Sequence, residues 1–370
     1  MSSTAPTLRL QGFTPESLRA HLGDDALSLE EARKVIAHVV QRGGSLDTLQ
    51  GVRKVLRERL RAELPVGRLE VVSRAASQED PFVKFLLRSE DGAEFETVRI
   101  PLERPGRFSV CVSSQVGCAM GCAFCATARM GLTRNLATWE IVAQIQTVAQ
   151  ELRRTGEGRV HGVVFQGMGE PMHNLDAVLP ALDILSHPCG LAVDGRNVTV
   201  CTVGIVPGID RLCAHNTRAR LGISVSSAQA SLRRSLVPTQ GRYPIEEVID
   251  AARRYHARTG YMVMLAYALL GGVNTTDEEA DSLRKLLDRM GVPVRLSLID
   301  WNPVPGIDFR PPTEEERSRF HDRLARLGVP VVRRYSGGKD IGAACGQLAT
   351  ASRREGRGPR APRSSSTADP

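Results

Sequence analysis

The chain has 370 residues, 42% of them hydrophobic, with a formal net charge of +8 and eight cysteines. That length can bury a sizeable core and carry a smaller accessory region, and no stretch approaches the roughly eighteen uninterrupted apolar residues of a membrane span. The basic balance suits an anionic partner such as nucleic acid, although an aromatic content of 4% offers no visible platform for stacking several unpaired bases.

The N-terminus, Met1 to Leu10, lacks a basic region followed by an apolar run, so a cytoplasmic location without membrane attachment is expected. Thr14-Pro15 reads as a helix cap with a first-turn proline, and Ser28 with Glu31 as a capping box before Ala32, Val35, Ile36 and Val39. A third helix over 52–63 carries Arg53, Lys54, Arg57, Arg59 and Arg61, a basic face that suits either solvent or RNA. Residues 1–65 therefore read as a helical accessory domain, an RNA-binding one if that basic face meets RNA.

Short runs at 69–72, 82–87 and 95–100 read as strands of a β linker region covering 66–102. Beyond it, strands alternate with helices, the pattern of a parallel sheet. Strands are expected near 108–112, 162–166, 197–202, 219–225, 261–270, 294–299 and 329–334, and helices near 138–153, 174–185, 244–259, 277–290 and 313–327. This gives an α/β catalytic domain over 103–350. Residues 351–370, rich in Arg, Ser, Pro and Gly, read as a disordered basic tail.

With no export signal, eight cysteines favour metal or redox chemistry over a disulfide framework. Cys118, Cys122 and Cys125 form a CxxxCxxC loop just after the first strand of the alternating region. Three thiolates in one tight loop can each ligate one iron of a 4Fe-4S cluster and leave the fourth iron open to a small molecule. Gly117 and Gly121 let the backbone fold around such a cluster, and Phe124 would shield one side from water. The competing chemistry is a structural zinc site, which needs four closed ligands and could recruit Cys111 as the fourth. Gly167-Met168-Gly169-Glu170-Pro171 ends a strand where backbone can approach a ligand and where Glu170 can accept from an ammonium group; alone, it also reads as an ordinary turn.

The CxxxCxxC loop resembles that of the radical S-adenosylmethionine superfamily. Together with the run from Cys111 to Cys118, Gly167 to Pro171, Trp301-Asn302-Pro303 and the run from Ala343 to Ala349, the chain resembles the RlmN/Cfr family of RNA adenosine methyltransferases along nearly its whole length. The resemblance implies an incomplete parallel (β/α) barrel, one 4Fe-4S cluster held by Cys118, Cys122 and Cys125, and two molecules of S-adenosylmethionine per turnover. It places the cofactor at Gly169, Glu170, Cys201, Ser224, Val225, Ser226 and Asn302, where cleavage yields a 5'-deoxyadenosyl radical.

In that family, the residue matching Cys345 accepts a methyl group and carries the one-carbon unit to an adenine carbon. The match to Cys111 then releases the product by forming a transient disulfide with Cys345, and Glu96 matches the proton acceptor. Read singly, Cys345 and Cys111 would be core thiols and Glu96 an outward-facing strand residue. The implied substrate is adenosine of ribosomal or transfer RNA, at C2 rather than C8, with a flavodoxin-type electron donor and a monomeric enzyme.

Cys201 stands where serine is common, Ser226 where histidine is usual and Ala266 where glutamate often occurs. Cys189 and Cys213 match no chemistry, and no histidines form a ligand-spaced pair. Arg99, Arg104, Arg107, Arg129 and Arg134 flank the cluster region and could meet phosphates or pair internally. Two rival functions are a radical enzyme acting on protein or a small molecule, and a zinc-dependent RNA-binding protein without catalysis.

Overall fold

The computed structural model describes residues 8–23, 25–333 and 336–349; the basic tail lies outside them. Three helices come first, α1 (Pro15–Leu22), α2 (Leu29–Ile36) and α3 (Lys54–Glu63). Both expected caps form: Ser17 N donates to Thr14 Oγ1 at 3.2 Å, and Glu31 N donates to Ser28 Oγ at 3.2 Å while Ser28 N donates back to Glu31 Oε2. Leu18, Ala32, Val35, Ile36 and Leu60 are buried where these helices meet. Helix α3 starts two residues later than its apolar pattern suggests, because Arg53 is not helical and instead sends its guanidinium to Glu31 at 2.8 Å.

An antiparallel run follows, β1 (Glu70–Ala76), β2 (Val83–Arg88), β3 (Glu94–Pro101) and β4 (Arg107–Cys111). Next come β5 (Gln115–Gly117), α4 (Ala126–Arg129) and β6 (Leu132–Asn135), in which β5 and β6 pair as a separate two-stranded ribbon. The alternating region then runs α5 (Thr138–Thr155), β7 (Arg159–Phe165), α6 (Leu175–Ser186), β8 (Val198–Thr202), α7 (Val206–Ala214), β9 (Arg220–Ser224), α8 (Ala230–Leu236), α9 (Ile245–Thr259), β10 (Val263–Leu269), α10 (Asp277–Met290), β11 (Val294–Asp300), α11 (Glu314–Arg326) and β12 (Val331–Arg333).

The main sheet has the order β1-β2-β3-β4-β7-β8-β9-β10-β11-β12. From β4 onward each neighbour is parallel, and β1 and β12 stand at opposite edges, so the barrel is incomplete as expected. Because β3 pairs with β4, the segment expected as a linker is continuous with the catalytic sheet. Helices cover the parallel part, and its strands carry continuous apolar runs such as Val163-Val164-Phe165, all buried. The N-terminal helices are fastened to this body by Gln146 of α5, whose Nε2 donates to the carbonyls of Val39 and Val40, both at 2.8 Å.

Helices α4, α7 and α8 and the β5–β6 ribbon have no counterpart in the sequence expectations. In α7 the dipeptide Pro207-Gly208 reads as a turn, yet proline is tolerated in a first helical turn. Gly208 is there for contact: a Cβ would lie 2.5 Å from Cβ of Met172.

Candidate active site

The three cysteines of the CxxxCxxC motif lie between β5 and the start of α4. Gly117 opens the loop with φ +77°, and a Cβ on it would fall 1.8 Å from the carbonyl oxygen of Gly131. Only glycine fits there. The loop is pinned at several points: Cys118 N donates to Gly131 O at 3.1 Å, Ala123 N to Leu236 O at 2.9 Å, and Trp301 Nε1 to Phe124 O at 2.9 Å. Cys118 and Cys122 are buried, and burial pushes the Cys118 thiol up to about 12 and raises those of Cys122 and Cys125 as well. Bare thiolates are therefore disfavoured, and a metal that takes the place of the proton relieves that penalty.

An open cleft extends from the loop across the C-terminal ends of β7 to β11. It is lined by all three loop cysteines and by Gly169, Glu170, Cys201, Ser224, Ser226, Ala266, Trp301 and Cys345. This is where ligands bind in open parallel sheets. The expected cofactor residues thus share one cavity, except Val225 and Asn302. Val225 is fully buried, with its carbonyl accepting from Arg233 at 3.0 Å. Asn302 donates to Asp300 O and Ser336 Oγ, and its buried Oδ1 has no hydrogen-bond partner among the described residues.

Gly169 has φ +100°, and a Cβ there would strike the backbone and side chain of Gln115 within 2.8 Å. Glu170 is buried; its Oε1 accepts from Met172 N and its Oε2 from Val203 N, both at 3.0 Å. Desolvation nevertheless raises its pKa to about 7, so a cationic group entering the cleft would find a carboxylate in need of a partner. Ser226 takes the left-handed conformation, φ +60°, which is uncommon for serine, and its carbonyl accepts from Asn274 Nδ2 at 2.8 Å.

Cys345 lies far from the CxxxCxxC loop in sequence, and the fold brings it alongside. Ala126 N donates to Gly346 O at 2.8 Å and Thr127 Oγ1 donates to Leu348 O at 2.6 Å. A second, small pocket is lined by Cys111, Cys125 and Cys345 together. Cys111 ends β4 and is buried, with its carbonyl held by Thr97 Oγ1 at 2.8 Å. No disulfide is formed among the described residues, so Cys111 and Cys345 stand as thiols.

Glu96 is 3% exposed on β3, not the outward-facing residue that strand alternation would suggest. It lines neither cavity directly but is joined to the Cys345 loop: Ala349 N donates to its Oε2 at 2.8 Å, and Lys84 Nζ sits 3.0 Å from its Oε1. Lys84 also donates to Gly342 O at 3.1 Å. Sequence reasoning passed over Lys84, Thr127, Ser336 and Arg233, because each works through contacts distant in the chain and belongs to no motif.

Two of the flanking arginines are committed inside the protein. Arg99 is buried between Glu151 and Glu157, over the ring of Phe108, and Arg134 is paired with Asp91 and Glu140. Neither is available to phosphate. On the basic third helix, Arg53, Lys54, Arg59 and Arg61 pair with Glu31, Glu58, Glu63 and Asp47, so much of that face is neutralised locally.

Residues 112–287 match the model of the Radical SAM superfamily. A probable RNA methyltransferase of Sorangium cellulosum is 46% identical over 359 residues, covering 90% of each chain. This chain belongs to the RlmN/Cfr family of radical S-adenosylmethionine RNA methyltransferases. The dual-specificity RNA methyltransferase RlmN of Syntrophotalea carbinolica is 38% identical over 340 residues, covering 92% of this chain and 89% of that one. The crystal structure of a radical SAM methyltransferase from Sphaerobacter thermophilus is similar with a TM-score of 0.85 and 39% identity, over 92% of this chain and 99% of that one.

Radical S-adenosylmethionine enzymes use a 4Fe-4S cluster and S-adenosylmethionine, and the residues present fit that pair. Three desolvated thiols share one cleft, a glycine turn leaves room where a side chain would intrude, and Asn302 Oδ1 is a buried acceptor without a donor among the described residues. No described helix is long and apolar enough to cross a membrane.

Proposed function

We propose that the protein methylates C2 of an adenine in ribosomal or transfer RNA, with Cys345 carrying the one-carbon unit and Cys111 releasing the product. The observation that carries this reading is the cavity shared by Cys111, Cys345 and Cys125. A methyl carrier has to lie beside both the radical source and the thiol that discharges it.

In this reading Cys118, Cys122 and Cys125 hold the cluster, and Gly169, Glu170, Cys201, Ser224, Val225, Ser226 and Asn302 cradle S-adenosylmethionine. Bound there, the pair would supply a 5'-deoxyadenosyl radical and, from a second cofactor molecule, the methyl group. Glu170 would accept from the methionine ammonium. Cys201 and Ser226, where serine and histidine are usual in the family, contribute backbone groups. Cys345 Sγ holds the carbon as a thioether, a soft and reversible linkage. Glu96, fastened to Ala349 and Lys84, accepts the proton lost from the adenine adduct. Cys111 Sγ, having given up its thiol proton, then bonds to Cys345 Sγ as the carbon–sulfur bond breaks, the departing carbon keeps that bond's electrons and takes up a proton to become the methyl group, and an external dithiol restores both thiols. The enzyme works as a monomer in the cytoplasm with a flavodoxin-type electron donor.

Mass spectrometry of ribosomal and transfer RNA from cells with and without the protein tests this. A methyladenine present only with the protein supports the reading; identical modification profiles overturn it.

A further inference from the structure

Arg233 of α8 is fully buried, and all three of its nitrogens donate to neutral acceptors. Nε reaches Val225 O at 3.0 Å, Nη1 reaches Gln240 Oε1 at 2.8 Å and Nη2 reaches Val203 O at 2.6 Å. None of these contacts is with a carboxylate. Burial lowers its pKa to about 10, and negative charge at Cys122, then at Glu246, acts in the opposite direction. A guanidinium buried this way is costly unless a counterion lies nearby.

Its contacts are also well placed. Val203 and Val225 directly follow the ends of β8 and β9, Val203 lining the cleft and Val225 standing between cleft residues Ser224 and Ser226, and Leu236 of the same helix accepts from Ala123 inside the cysteine loop. We infer that Arg233 is the fixed countercharge of the cluster bound by Cys118, Cys122 and Cys125, a positioning residue that ties the cofactor cradle to the loop and eases reduction of the cluster. The inference rests on the cluster reading above. A buried positive charge favours the more negative, reduced cluster over the oxidised one, because the intervening protein screens poorly.

A crosslink that is only structural would hold the same hydrogen bonds without influencing the electron. Gln240→Glu separates the two roles. Gln240 Oε1 accepts from both Arg233 Nη1 and Ile245 N, and a carboxylate can keep both bonds while neutralising the guanidinium. The test is a redox titration, followed by electron paramagnetic resonance, of reconstituted protein without S-adenosylmethionine. At a fixed poise, Gln240→Glu and Arg233→Gln should each lower the ratio of reduced to oxidised cluster about tenfold, equivalent to about 59 mV for one electron. Arg233→Lys, which keeps the charge, should stay within about threefold of the unmodified protein by the same relation. Whichever neutralising variant folds decides the matter. An unshifted ratio in Gln240→Glu with the cluster loaded overturns this inference alone, whereas an unmodified protein that binds no iron overturns the cluster reading and this inference together.

Discussion

The amide of Ala126, one residue past the last cysteine of the CxxxCxxC loop, donates to the carbonyl of Gly346, one residue past Cys345, at 2.8 Å. Two loops more than two hundred residues apart in sequence are thereby laced together, and the bond from Thr127 Oγ1 to Leu348 O adds a second stitch.

Thr127→Val removes that second stitch while keeping the side chain's shape. The lost hydrogen bond costs on the order of 1 kcal/mol and leaves a buried carbonyl without its donor. Cys345 should lose its alignment while Cys118 and Cys122, which Thr127 does not touch, keep theirs, and Cys125 loses only a hydrogen bond from the same hydroxyl. The expected outcome is 5'-deoxyadenosine formation near the normal rate, with several-fold less methylated RNA for each 5'-deoxyadenosine formed. An unchanged ratio of the two products contradicts a positioning role for Thr127.

Gly117→Ala and Gly121→Ala form a matched pair. Both glycines have positive φ, +77° and +69°, but a Cβ at 117 would lie 1.8 Å from Gly131 O, whereas one at 121 would meet nothing closer than Pro238 Cγ at 3.6 Å. The strain at 121 is about 1 kcal/mol. At 117 the backbone itself has to move, so iron uptake should fall severely in Gly117→Ala and only slightly in Gly121→Ala. Equal iron content in the two proteins, measured after anaerobic reconstitution, would show that the turn does not shape the site.

Glu170 sets a pH dependence. Burial raises its pKa from the ordinary 4.5 to about 7, so the folded protein without cofactors holds a proton that the unfolded chain has already released. Stability from this group is full below about pH 4.5 and is lost as pH rises through 7, a change of about 3 kcal/mol at most. Glu170→Gln should flatten that part of the profile. Urea unfolding of the cofactor-free protein at about pH 5 and about pH 8 checks it, and parallel profiles for the two proteins count against the assigned burial.

How much of this was legible in the sequence depends on how local the signal was. The cysteine loop, the cap at Thr14, the capping box at Ser28 and the long amphipathic helices are written in neighbouring residues, and the structure has them where the patterns place them. The meeting of Cys345 with Cys125 and Cys111 was not readable from spacing, because it depends on chain reversal through the whole sheet; the family resemblance supplied it. Glu96 alternates as an outward residue would, yet the Cys345 loop covers it. Arg233 sits beside exposed Arg234 in Leu232-Arg233-Arg234-Ser235, and nothing in that tetrapeptide says which arginine turns inward. The basic helix α3 misled in the opposite direction, since its partners Glu31 and Asp47 come from other segments.

The central claim is that one carbon passes through Cys345 and leaves when Cys111 attacks. Its most direct measurement is denaturing electrophoresis with mass spectrometry of Cys111→Ala protein after anaerobic turnover on RNA. The account predicts a covalent protein–RNA conjugate joined through Cys345. Free methylated RNA at the rate of the unmodified enzyme, with no conjugate, contradicts it.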